Sequence, residues 1–254
     1  MALNQVCDVQ VWTASPDDFN DAEYGAFSAL LDSAERARSH QFRQPVDHRA
    51  YVLAHAMRRI ALAQALQVAP AALVFFSEAN GKPVLAAPRN RDIYFSHSHS
   101  RALVACAVTH LGPVGIDVAS PQDGEADLSL LTGLVDLPDA QRRQAELGAD
   151  PAPQFFFYWT ALEAFWKAAG FGLSSANPPI RCQKDQHGRF EIFLAKTGSG
   201  SPMAQVIALK APTGCSATLV LAYISARTIE LDVKVTYNSL QIPLRTGPKI
   251  SRMN

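Results

Sequence analysis

Cysteine is scarce and scattered in this chain. Cys7, Cys106, Cys182 and Cys215 form no C-x-x-C pair and have no histidine at zinc-finger spacing, so neither a structural zinc site nor a disulfide framework is indicated. Surplus charge is also missing. Lys plus Arg and Asp plus Glu both number 23, so the chain as a whole offers no electrostatic case for nucleic acid or an anionic membrane, and any anion site must be local. No uninterrupted apolar run approaches the ~20 residues of a membrane helix. The opening MALNQVCDVQVW has no basic region followed by an apolar core, so a cytoplasmic location is expected. Signature loops are absent too. There is no G-x-x-x-x-G-K-[ST] for a P-loop nucleotide site, no G-x-S-x-G elbow for a serine hydrolase, and no H-E-x-x-H or H-x-H-x-D-H for a metal hydrolase. What remains, 48% hydrophobic and 18% charged over 254 residues, suits a folded globular protein of one large domain or two smaller ones.

The periodicity falls into two similar halves. Residues 6–12 alternate as a strand, and 47–66 place Tyr51, Leu53, Ala54, Met57, Ile60, Leu62 and Leu66 at roughly helical spacing. Short β-type runs follow at 73–76, 93–95 and 102–108, with Asn80-Gly81 as a turn. Gly112-Pro113 breaks the pattern. A strand at 114–118 then opens the second half, leading through a weakly helical region at 128–147 to a strong helix at 154–169. Strands at 190–194, 205–209 and 218–224 complete it, with turns such as TGSGSP at 197–202. ALVACAV (102–108) echoes TLVLAYI (218–224), and CDVQVWTAS (7–15) echoes VGIDVAS (114–120). The expectation is an α+β fold of two similar lobes, a pseudo-dimer, each lobe a helix on a mainly antiparallel sheet, with a cleft between them. The lobes are assigned to residues 1–112 and 113–227. Residues 228–254 form an extension of unassigned role that adds a strand or wraps the surface.

Three segments carry chemistry. On the strand 114–118, alternation puts Gly115, Asp117 and Ala119 on one face and Val114, Ile116 and Val118 on the other, so Asp117 is a carboxylate among small residues with room for a hard cation or a phosphate. Its bland alternative is a solvated Asp on an edge strand. On the helix 154–169, an apolar stripe of Phe155, Trp159, Leu162, Trp166 and Ala169 is flanked by Glu163 and Lys167, four residues apart. That pair is either an ordinary surface ion pair or a metal-binding carboxylate beside a phosphate-binding ammonium. In YFSHSHSRALVACAV (94–108), hydroxyls and imidazoles crowd a strand end, and His97 and His99 on one face admit an H-x-H metal hydrolase as a rival reading. Arg36, Arg38, Arg43, Arg49, Arg58 and Arg59 gather on or before the first long helix, where a subset facing one cleft would make a local anion site.

In order and approximate spacing, these pieces resemble the Sfp-type 4′-phosphopantetheinyl transferases, the pseudo-dimeric enzymes that activate carrier proteins. The family's N-S-H-S-type segment is similar to Ser96-His97-Ser98-His99-Ser100, its G-[IV]-D-[IV]-E to Gly115-Ile116-Asp117-Val118-Ala119, and its W-x-x-K-E-x-x-x-K to WTALEAFWK at 159–167. The G-K-P at 81–83 and the helix from Arg49 to Arg58 also match. The motifs span residues 30–175.

The resemblance implies that Arg49 and His99 hold the 3′-phosphate end of coenzyme A. It also implies that Lys82 and Ser98 lie near the adenine nucleotide, that Arg38 approaches the pyrophosphate, and that Asp117 and Glu163 bind Mg²⁺. The implied reaction is attack of a serine hydroxyl of an apo acyl or peptidyl carrier protein on the β-phosphate, releasing 3′,5′-ADP. Glu163 is the implied general base, and Lys167 neutralises charge on the bridging oxygen. No nucleic-acid or membrane partner is expected, and the protein is expected to act as a monomer. Two departures stand out: Ala119 replaces the usual second acid, and Leu162 replaces the lysine before the helix Glu. Gln122, Asp123 and Glu125 are candidates to compensate. A member that binds coenzyme A but has reduced or lost transfer is the alternative reading.

Overall fold

In the computed structural model, which describes residues 7–79, 81–89, 92–136, 150–173, 177–194, 202–222 and 233–240, each half of the chain runs strand, helix, hairpin, hairpin. The first half comprises β1 (Cys7–Ala14), α1 (Asp21–Leu30), α2 (Ser33–Ser39), α3 (Pro45–Leu66), β2 (Val74–Ser77), β3 (Pro83–Ala87), β4 (Tyr94–His99) and β5 (Val104–Thr109). The second comprises β6 (Val114–Ala119), α4 (Ala152–Ala169), β7 (Ile180–Lys184), β8 (Phe190–Leu194), β9 (Ala204–Ala208) and β10 (Ser216–Ala222). A last strand, β11 (Val233–Asn238), follows.

The sheets carry the same repeat. One has the order β11-β1-β5-β4 and the other β6-β10-β9-β8-β7, so the opening strand of each half pairs antiparallel with its closing strand. The pairs β1/β6 and β5/β10 are the ones that echo each other in sequence. This is the two-lobed α+β pseudo-dimer. In the first half β2 and β3 stand apart as their own two-stranded sheet, whereas β7 and β8 continue the second sheet.

Period-two alternation stacks the layers. In the first sheet Trp12, Val104, Cys106 and Val108 face α3, and with Leu53, Met57 and Leu62 they form one core. Their neighbours Val9, Val11, Ala105 and Ala107 point the other way and pack on Val114, Ile116, Val118, Leu219 and Leu221 of the second sheet. The opposite face of that sheet, including Val206 and Val220, is covered by Ala161, Leu162 and Phe165 of α4. The order is helix, sheet, sheet, helix, and the two lobes share the middle core.

Helices α1 and α2 and strands β3 and β7 have too little apolar period to be expected from sequence. Both helices begin with capping boxes, Asn20 with Glu23 and Asp32 with Glu35, which satisfy the first free N–H groups locally. Of the weakly helical region, only a 3-10 turn at Leu128–Leu131 falls among the described residues before 136, and 137–149 lie outside them. Asn80 and most of the 197–202 turn also lie outside. The extension contributes β11, parallel to β1. Among the described residues no helix is long and apolar enough to cross a membrane.

Candidate active site in the cleft between lobes

Backbone contact between β6 and α4 builds the site. A Cβ on Gly115 would lie 1.8 Å from the Ala164 carbonyl oxygen and 2.8 Å from the Ala168 nitrogen, so only glycine lets the helix rest on the strand this closely. Asp117, two residues along the same face, is thereby held beside the helix turn that carries Glu163 and Lys167. Thr160, one turn earlier, bonds the Phe156 carbonyl oxygen and reaches Ser216 (3.0 Å) and Thr218 (2.7 Å), fixing α4 against β10 from within.

Asp117 is buried. Its Oδ1 accepts from Ser98 Oγ at 2.7 Å and from Lys167 Nζ at 2.5 Å, and Lys167 also donates to Ser98 Oγ at 3.0 Å. Ser98 comes from β4 of the other lobe, as does Ser96, whose Oγ accepts from the Ile116 N–H at 3.1 Å. These two buried serines bridge the lobes beneath the cleft. Asp117 is therefore no solvated edge-strand carboxylate, and the Glu163/Lys167 pair is no isolated surface pair. Glu163 and Asp117 line one cavity with His97, Ser98, His99, Ala119, Asp123, Trp159 and Lys167. Burial, and then the Asp117 charge, raise the pKa of Glu163, with Lys167 partly offsetting them.

Two further cavities open beside this one. One is lined by Lys82, Pro83, Phe95, His97, Glu163, Lys167 and Phe171. The other, on the α2/α3 side, includes Arg38, Tyr51, His55, Arg58, Phe76 and His97. Lys82 Nζ donates to the Lys167 carbonyl oxygen at 3.0 Å, so it caps the C-terminal turn of α4 across the cleft. Of the residues singled out in sequence, Asp117, Glu163, Lys167, Ser98, His99, Lys82 and Arg38 thus line this connected set of cavities. Arg49 is turned elsewhere: it pairs with Asp21 at 2.5 Å and lies 4.5 Å from the Tyr24 ring centroid.

Sequence reasoning missed the support beneath Arg38. Glu35 of α2 is buried against Arg58 and Arg59 of α3. Arg58 donates to Glu35 Oε1, and Arg59 donates to Glu35 Oε2 (2.9 Å), Asp32 Oδ2 (2.8 Å) and the Leu73 carbonyl oxygen (2.9 Å). The two acids of the α2 capping box are therefore also the anchors of that helix. The signal was present as D-x-x-E ahead of a helix carrying an Arg-Arg pair.

The donor set fits a divalent ion held open-sided. Asp117 and Glu163 face one cavity, and among the described residues Asp117 Oδ2 takes no hydrogen bond. Two carboxylates, completed by substrate phosphates and water, are what Mg²⁺ commonly takes. Ala119 lines the cavity without an oxygen to offer. Asp123 lines it too, but its Oδ1 accepts from the Arg101 N–H, and its Oδ2 from the Ser120 N–H and hydroxyl. Among the described residues no group of three or more His, Cys, Asp or Glu side chains is arranged to hold a metal.

A helix-backed pair of repeated sheets with acid, lysine and serine meeting in the shared cleft defines a two-lobed α+β architecture with a polar site at its seam, and comparison with known proteins gives it a family. Residues 10–111 match the model for the 4′-phosphopantetheinyl transferase N-terminal domain, and residues 113–217 match that of the 4′-phosphopantetheinyl transferase superfamily. The chain is 31% identical over 169 residues to the 4′-phosphopantetheinyl transferase HetI of Nostoc, covering 66% of this chain and 70% of that protein. It is 30% identical to a putative 4′-phosphopantetheinyl transferase of Synechocystis (58% and 60% covered) and 28% identical to the 4′-phosphopantetheinyl transferase of Bacillus subtilis (65% and 72%). The chain belongs to the 4′-phosphopantetheinyl transferase superfamily, in its Sfp-type form, and is an enzyme of that class.

Proposed function

We propose that the chain transfers 4′-phosphopantetheine from coenzyme A to a serine of an apo acyl or peptidyl carrier protein and releases 3′,5′-ADP. The observation that carries this reading is the convergence of Asp117, Glu163, Lys167 and Ser98 on one cavity between the lobes. Arg38, Lys82 and His99 line the adjoining surfaces for the anionic coenzyme, and Arg49 would have to leave Asp21 to join them. Asp117 and Glu163 would hold Mg²⁺, which when bound supplies charge neutralisation at the phosphates.

In the transfer, the serine oxygen forms a bond to the β-phosphorus while the bond from that phosphorus to the bridging oxygen breaks, and the electron pair leaves on 3′,5′-ADP. Glu163, whose affinity for a proton is raised by burial, accepts the serine proton directly or through a water. Lys167, which now donates to Asp117 and Ser98, neutralises charge developing on the bridging oxygen. The lobes are read as residues 1–112 and 113–227, acting as a cytoplasmic monomer.

One observation favours a second reading. Ala119 leaves the metal site with two carboxylates and Asp123 is already engaged, which suits a member that binds coenzyme A with little transfer. Incubation with several apo carrier proteins, coenzyme A and Mg²⁺, followed by mass spectrometry, separates the two. A phosphopantetheine mass gain supports transfer. Coenzyme A binding with no gain on any carrier supports the second reading.

A further inference from the structure

The resemblance gives roles to Ser98 and His99 but none to His97 between them and Ser96, yet among the described residues His97 is the one that lines all three cavities of the cleft. A molecule reaching from the arginines of α2 and α3 to the Asp117/Glu163 pair passes its ring. That ring is positioned by aromatic packing: it meets His55 edge-on, with centroids 5.2 Å apart at 80°, and His55 is itself stacked on Tyr51 at 3.8 Å. His55 Nδ1 is tied to the Tyr51 carbonyl oxygen at 2.9 Å. Among the described residues neither nitrogen of His97 has a hydrogen-bond partner, so its orientation is fixed while its polar atoms are left for something else. Burial, then the nearby Arg58, His55, His99 and Lys167, hold its pKa well below the ordinary imidazole value. The ring is therefore neutral at physiological pH and keeps one N–H to donate, in surroundings that favour an anion.

We infer that His97 is a co-substrate-binding residue, donating a ring N–H to a phosphate oxygen of the coenzyme on its path from the Arg38 side of the cleft to the carboxylate pair. The inference rests on the proposed function. The competing view is that His97 only fills space, as Phe95 does two residues earlier on the same strand face. A space-filling role would be met equally well by leucine.

The test is direct calorimetric titration of the full chain with coenzyme A and with 3′,5′-ADP. His97→Leu is expected to weaken both by about tenfold, the loss of one hydrogen bond to a charged group. His97→Gln, which keeps a donor, is expected to recover most of that loss. In turnover His97→Leu should raise the KM for coenzyme A and leave kcat within about twofold, with an unchanged melting temperature. Unaltered affinity in His97→Leu, while the parent chain binds coenzyme A, overturns the role of His97 and leaves the proposed function standing. A parent chain that binds neither ligand overturns both. If His97→Leu does not fold, His97→Ala takes its place: added imidazole should restore coenzyme A affinity, and weakened binding without such rescue counts against the contact.

Discussion

Gly115 and Ala164 touch through their backbones: the strand Cα faces the helix carbonyl so closely that a methyl group between them would sit 1.8 Å from the oxygen. The geometry of the cleft depends on this contact, because it sets the depth at which Glu163 and Lys167 meet Asp117. Both obstructing atoms are backbone and cannot rotate aside. Gly115→Ala should therefore cost about 3 kcal/mol or more in urea unfolding, at the top of the overpacking range. Any folded fraction should have weakened transfer. A variant with native stability would show that α4 can lift off β6 without penalty.

The α2 anchor should be costly to break. Glu35 and Arg58 expose only 9% and 4% of their side chains, so removing the carboxylate leaves two buried guanidinium groups without their main partner. Glu35→Ala should lose about 3–5 kcal/mol. Native-state hydrogen exchange should find the loosened amides in α2 first, since that helix is held by this network and its own capping box.

Acid should destabilise the protein in a window set by the cleft histidines. The pKa of His55 is pushed down to about 3 by burial and Arg58, and that of His97 is well below the ordinary value of 6.5. Both are depressed, so as pH falls below 6.5 the unfolded chain takes up protons that the native chain refuses. Stability is then fully present above about 6.5 and falls towards pH 3. The urea midpoint should decline over this range, and a His55→Leu/His97→Leu double variant should decline less steeply.

Glu163 carries the opposite sign. Its folded pKa is raised, so its favourable contribution exists while it is protonated and is lost as pH rises through the folded pKa. At pH 7, without divalent ions, Glu163→Gln should melt at a higher temperature than the parent chain. Mg²⁺ should raise the melting temperature of the parent and have a smaller effect on Glu163→Gln, because one of the two proposed ligands is gone.

The strong apolar periods of α3 and α4, the alternation of β1, β5 and β6, and the repeat of their order were legible because each element buries a regular face. Helices α1 and α2 were not, since their stability comes from capping boxes and from contacts with α3 that lie distant in sequence. The same division runs through the site. Asp117, Glu163 and Lys167 could be picked out because β6 and α4 present them at fixed periods, although spacing alone left the ordinary surface readings open and their roles came from the family resemblance. Ser96, Glu35 and the free ring of His97 gain their meaning only when β4 meets β6 and α2 meets α3. Arg49 shows the converse, a residue whose spacing matches and whose side chain is turned to Asp21.

The proposed function makes the half-buried Glu163 of α4 the driver of phosphopantetheine transfer in the cleft between the lobes. It is tested most directly by following the mass of an apo carrier protein incubated with coenzyme A, Mg²⁺ and either the parent chain or Glu163→Gln. The carrier should gain one phosphopantetheine with the parent chain and none on the same timescale with the folded variant. Conversion by Glu163→Gln at the parent rate would contradict it.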